Sequence, residues 1–131
     1  MTFVDTNVLM YAVGGEHPLQ ASARAFLDES LRKQTALCTS AEVLQELMHA
    51  YLPVRRMEQL DAALSLIADT GVEVWPLEAE DVHLARRLGE RFPELAARDL
   101  CFLASCQRRG VAEIVTFDRA LASAAGQTAL G

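Results

Sequence analysis

Two short stretches decide how the chain is read: Thr2-Phe3-Val4-Asp5 and Ile114-Val115-Thr116-Phe117-Asp118. Each is a β-prone run that gives way to an aspartate. Phe3-Val4 and Ile114-Val115 are apolar on successive residues, as expected of strands buried on both faces of a parallel sheet. In such a sheet ligands bind beyond the carboxyl ends of the strands. Two aspartates placed there can face one cleft.

Between these runs, strand-like and helix-like segments alternate. Pro18 to Lys33 reads as a helix with Leu19, Phe26, Leu27 and Leu31 as candidate core residues. Ala36 to Cys38 reads as a second strand, and Ala41 to Leu52 as a helix ended by Pro53. Met57 to Ala68 is a further helix closed by Gly71. Val72 to Trp75 is a third strand, stopped by Pro76. Ala79 to Arg91 is helical, and so is Arg98 to Arg109, which ends at Gly110. Glu113 to Thr116 forms the fourth strand, and a last helix follows Phe117. This alternation predicts an α/β fold with a mainly parallel sheet of four or five strands and helices on both faces, in one domain over residues 1–131.

Composition sets the limits. The hydrophobic fraction is 51% and the charged fraction 23%, as in globular chains. No apolar stretch is long enough to span a bilayer, and no signal peptide is expected. The three cysteines, Cys38, Cys101 and Cys106, lack metal-binding spacing and sit among apolar neighbours. They read as reduced core thiols of a cytoplasmic protein. The net charge of −6 opposes long-range attraction to nucleic acid. Positive charge is local: Arg55-Arg56, Arg86-Arg87 and Arg108-Arg109, each pair read singly as a solvated helix face.

The acids are the chemical signal. Asp5 and Asp118 follow the first and fourth strands, and Asp99 opens the apolar helix Leu100-Cys101-Phe102-Leu103-Ala104. A helix cap or a favourable dipole interaction also explains an acid at that position. The segment Thr39-Ser40-Ala41-Glu42-Val43-Leu44-Gln45-Glu46 offers a fourth. Thr39-x-x-Glu42 matches a capping box, which gives Glu42 a structural task. Glu46, one turn deeper among Val43, Leu44, Leu47 and Met48, has none. Two unit charges about 4 Å apart repel by roughly 4 kcal/mol at an effective dielectric of about 20. A gathering of acids therefore implies cations or protonation. Oxygen-only donors select hard ions such as Mg²⁺ or Mn²⁺. Such ions activate water and stabilise phosphoryl charge, which points to metal-assisted phosphodiester hydrolysis.

Val4-Asp5-Thr6-Asn7-Val8-Leu9 resembles the opening motif of PIN domains. Ser40-Ala41-Glu42-Val43-Leu44-Gln45-Glu46 resembles their second motif, whose acid falls on Glu46. Ala97-Arg98-Asp99-Leu100 resembles the third, and Thr116-Phe117-Asp118-Arg119 the fourth. The resemblance implies a PIN-like α/β/α sandwich and an endoribonuclease dependent on Mg²⁺, with Mn²⁺ as substitute. It further implies a VapC-type toxin of a type II toxin–antitoxin system, which dimerises and is held inactive by a cognate antitoxin. Asp5 and Asp99 would be metal ligands, with Glu46 and Asp118 completing the catalytic cluster. Thr6 and Thr116 would support it through their hydroxyls, and Asn7 would position a carboxylate or the substrate. Arg98 and Arg119 adjoin these acids in sequence and are candidate contacts to RNA phosphate.

Rival readings are weaker. Glu46-x-x-His49 has the spacing of a di-iron bundle motif, but that site needs a second copy on another helix. An aspartyl phosphatase would carry a second aspartate where Asn7 stands. A PIN nuclease of RNA processing without an antitoxin, and a non-catalytic RNA-binding module, are the alternatives; a module of the latter kind typically loses acids that are all kept here.

Overall fold

The computed structural model describes residues 1–131. Strands β1 (Thr2–Val4), β2 (Leu37–Ser40), β3 (Glu73–Trp75) and β4 (Glu113–Val115) form one sheet. Their order is β3-β2-β1-β4, and every pairing is parallel. The helices are α1 (Thr6–Val13), α2 (Gln20–Arg32), α3 (Ala41–Tyr51), α4 (Met57–Asp69), α5 (Ala79–Arg91), α6 (Ala97–Arg108) and α7 (Arg119–Ala124).

β1 and β2 are the two inner strands, and every residue of both is buried. Phe3 and Val4 are buried, and the Phe3 ring lies 5.3 Å from that of Phe102 and 5.8 Å from that of Trp75. The chain steps from β1 to β2 to β3 in one direction, then returns to β4 on the other side of β1. Right-handed crossovers running in opposite directions place their helices on opposite faces. The helices α1 to α4 therefore cover one face, and α5 and α6 the other. The reversal falls between β1 and β4, which opens a crevice at their carboxyl ends. No helix is long and apolar enough to cross a membrane.

Element positions follow the sequence reading to within about two residues, with three informative departures. The first is α1, which the patterning does not announce. Its opening residues, Thr6-Asn7-Val8, are poor helix formers. Asp5 caps it by accepting a hydrogen bond from the Thr6 N–H, and Val8, Leu9 and Ala12 bury one side. The second is Leu31, expected in the core but half exposed: α2 buries Ala23, Leu27 and Ser30, and Leu31 stands beside that stripe.

The third is the end of β2, which runs on to Ser40, so that Ser40 and not Thr39 is the N-cap of α3. The Thr39 hydroxyl instead donates to the Val4 carbonyl at 2.9 Å, tying β2 to β1. The capping box read from Thr39 and Glu42 does not form.

Two residues expected on a solvated face have another task. Arg108 and Arg109 donate to Oδ1 of the fully buried Asp81 at 2.6 and 3.0 Å, while Asp81 Oδ2 accepts from the Glu78 N–H. The Arg109 guanidinium also lies over the Trp75 ring, 4.8 Å from its centroid. This cluster fastens α5 to α6. Trp75 and Tyr51 are buried in the core. Cys38, Cys101 and Cys106 are buried free thiols, and burial pushes Cys38 up to about 12 and Cys101 up to about 11.

Candidate active site

At the carboxyl ends of β1 and β4 lies a cleft of about 660 Å³, bounded also by α3 and α6. Asp5, Glu46, Asp99 and Asp118 all line it, as do Asn7, Arg98 and Glu42. Residues separated by up to 113 positions are thus gathered where the chain reverses direction across the sheet.

Asp5 is the most firmly held. It is buried at 4% exposure. Its Oδ1 accepts from the Thr6 N–H at 2.7 Å, and its Oδ2 from the Thr116 hydroxyl at 2.6 Å and Asn7 Nδ2 at 3.3 Å. Burial raises Asp5 from 3.8 to about 7; the bond from Thr116 opposes the rise, and the charge of Asp99 adds to it. Asn7 is itself fixed, since its Oδ1 accepts from the Phe117 N–H and its Nδ2 also donates to Thr116 Oγ1.

Asp99 occupies the third position of α6, whose N-cap is Ala96, so it is not the cap. Its burial, then the charges of Asp118 and Glu46, push it up to about 6, against the pull of Arg98. Asp118 is exposed and does cap: its Oδ1 accepts from the N–H groups of Ala120 and Leu121 at the start of α7. Glu46 projects from α3 and accepts from Arg98 Nη1 at 2.9 Å. Glu42, freed from the expected capping task, lines the same cleft with Oε1 buried and unpartnered. Burial raises its carboxyl, Arg98 opposes, and Glu46 adds to the rise.

The supporting residues divide. Thr116 acts through its hydroxyl, as expected. Thr6 acts through its backbone N–H, and its buried hydroxyl has no partner. Arg98 stands in the cleft wall. Arg119 is exposed and lines a separate depression with Leu19 and Phe117, so adjacency in sequence does not bring it to the acids.

The donors presented to the cleft are carboxylate and amide oxygens, which suit a hard divalent cation. No three His, Cys, Asp or Glu side chains converge as a ready-made metal cage. Two desolvated acids whose charged forms are disfavoured are the groups such a cation would relieve.

The chain matches the PIN domain family over residues 2–127. It is 59% identical over 124 residues to Ribonuclease VapC23 of Mycobacterium tuberculosis, covering 95% of this chain and 98% of that protein. Its fold is similar to the crystal structure of M. tuberculosis VapC20, a sarcin–ricin loop cleaving toxin, with a TM-score of 0.77 at 23% identity over 98% of this chain and 97% of that one. A toxin–antitoxin complex from Klebsiella pneumoniae contains a chain matched with a TM-score of 0.65 at 18% identity, over 90% of this chain and 87% of that one. With its motifs in order and its acids in one cleft, the chain belongs to the PIN domain family and, within it, to the VapC ribonucleases.

Proposed function

We propose that the acidic cleft hydrolyses RNA phosphodiester bonds with Mg²⁺, or Mn²⁺ in its place, and that the protein is the toxin of a toxin–antitoxin pair. The observation that carries this reading is the pairing of Asp5 and Asp99 at the switch point of the sheet, each desolvated and raised well above the ordinary aspartate value. Asp5 and Asp99 hold the cation, with Glu46 and Asp118 completing the acidic wall. A bound divalent ion supplies a nucleophilic water and offsets charge on the phosphoryl oxygens.

The rest is done by the chain. Thr116, Asn7 and the Thr6 N–H fix the orientation of Asp5. The sheet and helices behind them exclude water from one side of the carboxylates. Arg98 offers a planar fork of donors to a phosphate at the cleft wall, which an acidic protein needs locally. The antitoxin partner is supported by the toxin–antitoxin complex among the structural neighbours. The toxin works as a homodimer in the cytoplasm.

The test is cleavage of RNA by the purified chain with Mg²⁺, with Mn²⁺ and with chelator, for wild type and Asp99→Asn. Cleavage only by wild type and only with metal is expected. Cleavage that survives both chelator and Asp99→Asn overturns the reading.

A further inference from the structure

Glu42 and Glu46 lie four residues apart on α3, hence on one helix face, and both line the cleft. Their surroundings differ. Glu46 Oε2 holds Arg98 at 2.9 Å, across from α6. Glu42 Oε1 is buried with no donor, an expensive state for a carboxylate oxygen that native proteins rarely leave without a reason. Arg98 acts electrostatically on Glu42 as well as on Asp99.

A cation that takes Glu46 through Oε2 must displace Arg98, which holds that oxygen. The displaced guanidinium would otherwise stand unpaired beside a second positive charge. Asp99 gives it no refuge, being committed to the cation. One turn of helix is about 5.4 Å, a step that the flexible arginine stem can make.

We propose that Glu42 is the alternative seat of Arg98: when a divalent cation claims Glu46, the guanidinium passes one turn along α3 to Glu42, which leaves Glu46 free to ligate and keeps Arg98 at the cleft wall. Glu42 is then a positioning residue, acting through Arg98 and not on the metal. The inference rests on the cleft being a cation site. It gives the fifth acid a task that neither capping nor direct ligation supplies.

The test is calorimetric titration of the full chain with Mn²⁺ at fixed pH, for wild type, Glu42→Gln, Arg98→Gln and the double variant. Arg98→Gln removes the competitor and should tighten binding by about fivefold, the scale of a partly exposed ion pair. Glu42→Gln should weaken binding by a similar factor in the wild-type background and have no effect once Arg98 is gone. Arg98→Lys, which keeps the charge, should restore the dependence on Glu42.

Equal weakening by Glu42→Gln in both backgrounds would make Glu42 a direct ligand and overturn the exchange, as would no effect in either. In wild type alone, where folding is not in question, the Arg98 guanidinium NMR signals should shift on Mg²⁺ addition yet retain the slow rotation of an ion pair. Signals that do not move, or that become freely rotating, also overturn it. Failure of wild type to bind either ion would remove the cation reading and the exchange together, whereas binding with additive effects removes the exchange alone.

Discussion

Thr116 donates its hydroxyl to Asp5 Oδ2 at 2.6 Å, joining the residue that follows β4 to the one that follows β1. The same Oγ accepts from Asn7 Nδ2 at 3.2 Å and from the Asp118 N–H at 3.0 Å. One hydroxyl thus sets the position of two acids. Its bond lowers the Asp5 carboxyl against the larger effect of burial. Thr116→Val should push Asp5 higher still and move the pH at which Mn²⁺ binding sets in upward, because the ligand must shed its proton first. Thr116→Ser should behave as wild type. A titration at several pH values checks this; identical profiles for all three proteins would remove Thr116 from the site.

Asp5 and Asp99 should make the metal-free protein less stable as pH rises. Both are raised above the usual 3.8, to about 7 and about 6, so the folded state holds protons that the unfolded state has lost. Their stabilising contribution is full below about pH 4 and is lost as pH climbs through 6 and 7. Asp5→Asn, nearly isosteric, should flatten the melting profile between pH 5 and 8 in chelator. A slope as steep as that of wild type would mean that other groups set it.

Asp118 has two roles that separate by substitution. It caps α7 through Ala120 and Leu121, and it also lines the cleft. Asn caps as well as Asp, whereas Ala does not. Asp118→Ala should cost about 0.5–2 kcal/mol in urea unfolding, and Asp118→Asn little. RNA cleavage should fall in both. Retained cleavage in Asp118→Asn would restrict Asp118 to capping.

Asp99→Asn should cut Mg²⁺ affinity sharply while leaving the fold intact, because Asp99 caps nothing and holds no partner in place. Calorimetry on the two proteins decides it, and equal affinities would exclude Asp99 as a ligand.

Asp81 should matter for stability and not for the cleft. Burial of its carboxylate acts to raise it, but the Glu78 N–H and then Arg108 and Arg109 outweigh this and hold it below the usual carboxylate range. Asp81→Asn should cost about 3 kcal/mol, the low end for a broken buried pair, because Arg108 and Arg109 keep some access to water. Asp81 stabilises above the usual carboxylate range and loses that contribution as pH falls through its depressed value. The difference between the two proteins should therefore shrink in strong acid. A difference that stays constant down to low pH would count against the ion pair.

The order of the four acids, the parallel sheet and most element positions were legible along the chain. Hydrophobic period, helix stops such as Gly71 and Gly110, and the doublets Phe3-Val4 and Ile114-Val115 are local properties. The cleft followed from them, since strand alternation fixes where carboxyl ends lie. What each side chain does there was decided only in three dimensions. Glu42 lost its capping task because β2 runs two residues beyond Cys38, where its sequence pattern ends it, and pairs there with β3. Arg98 lines the cleft and pairs with Glu46, whereas Arg119 lines a separate depression with Leu19 and Phe117, although each adjoins an acid in sequence. The helix α1 forms from weak helix formers because Asp5 caps it and the core takes up Val8 and Leu9. Sequence determines which groups are available and roughly where the backbone turns. Which way they point, and which partner neutralises them, depends on contacts between residues a hundred positions apart, such as Thr116 with Asp5.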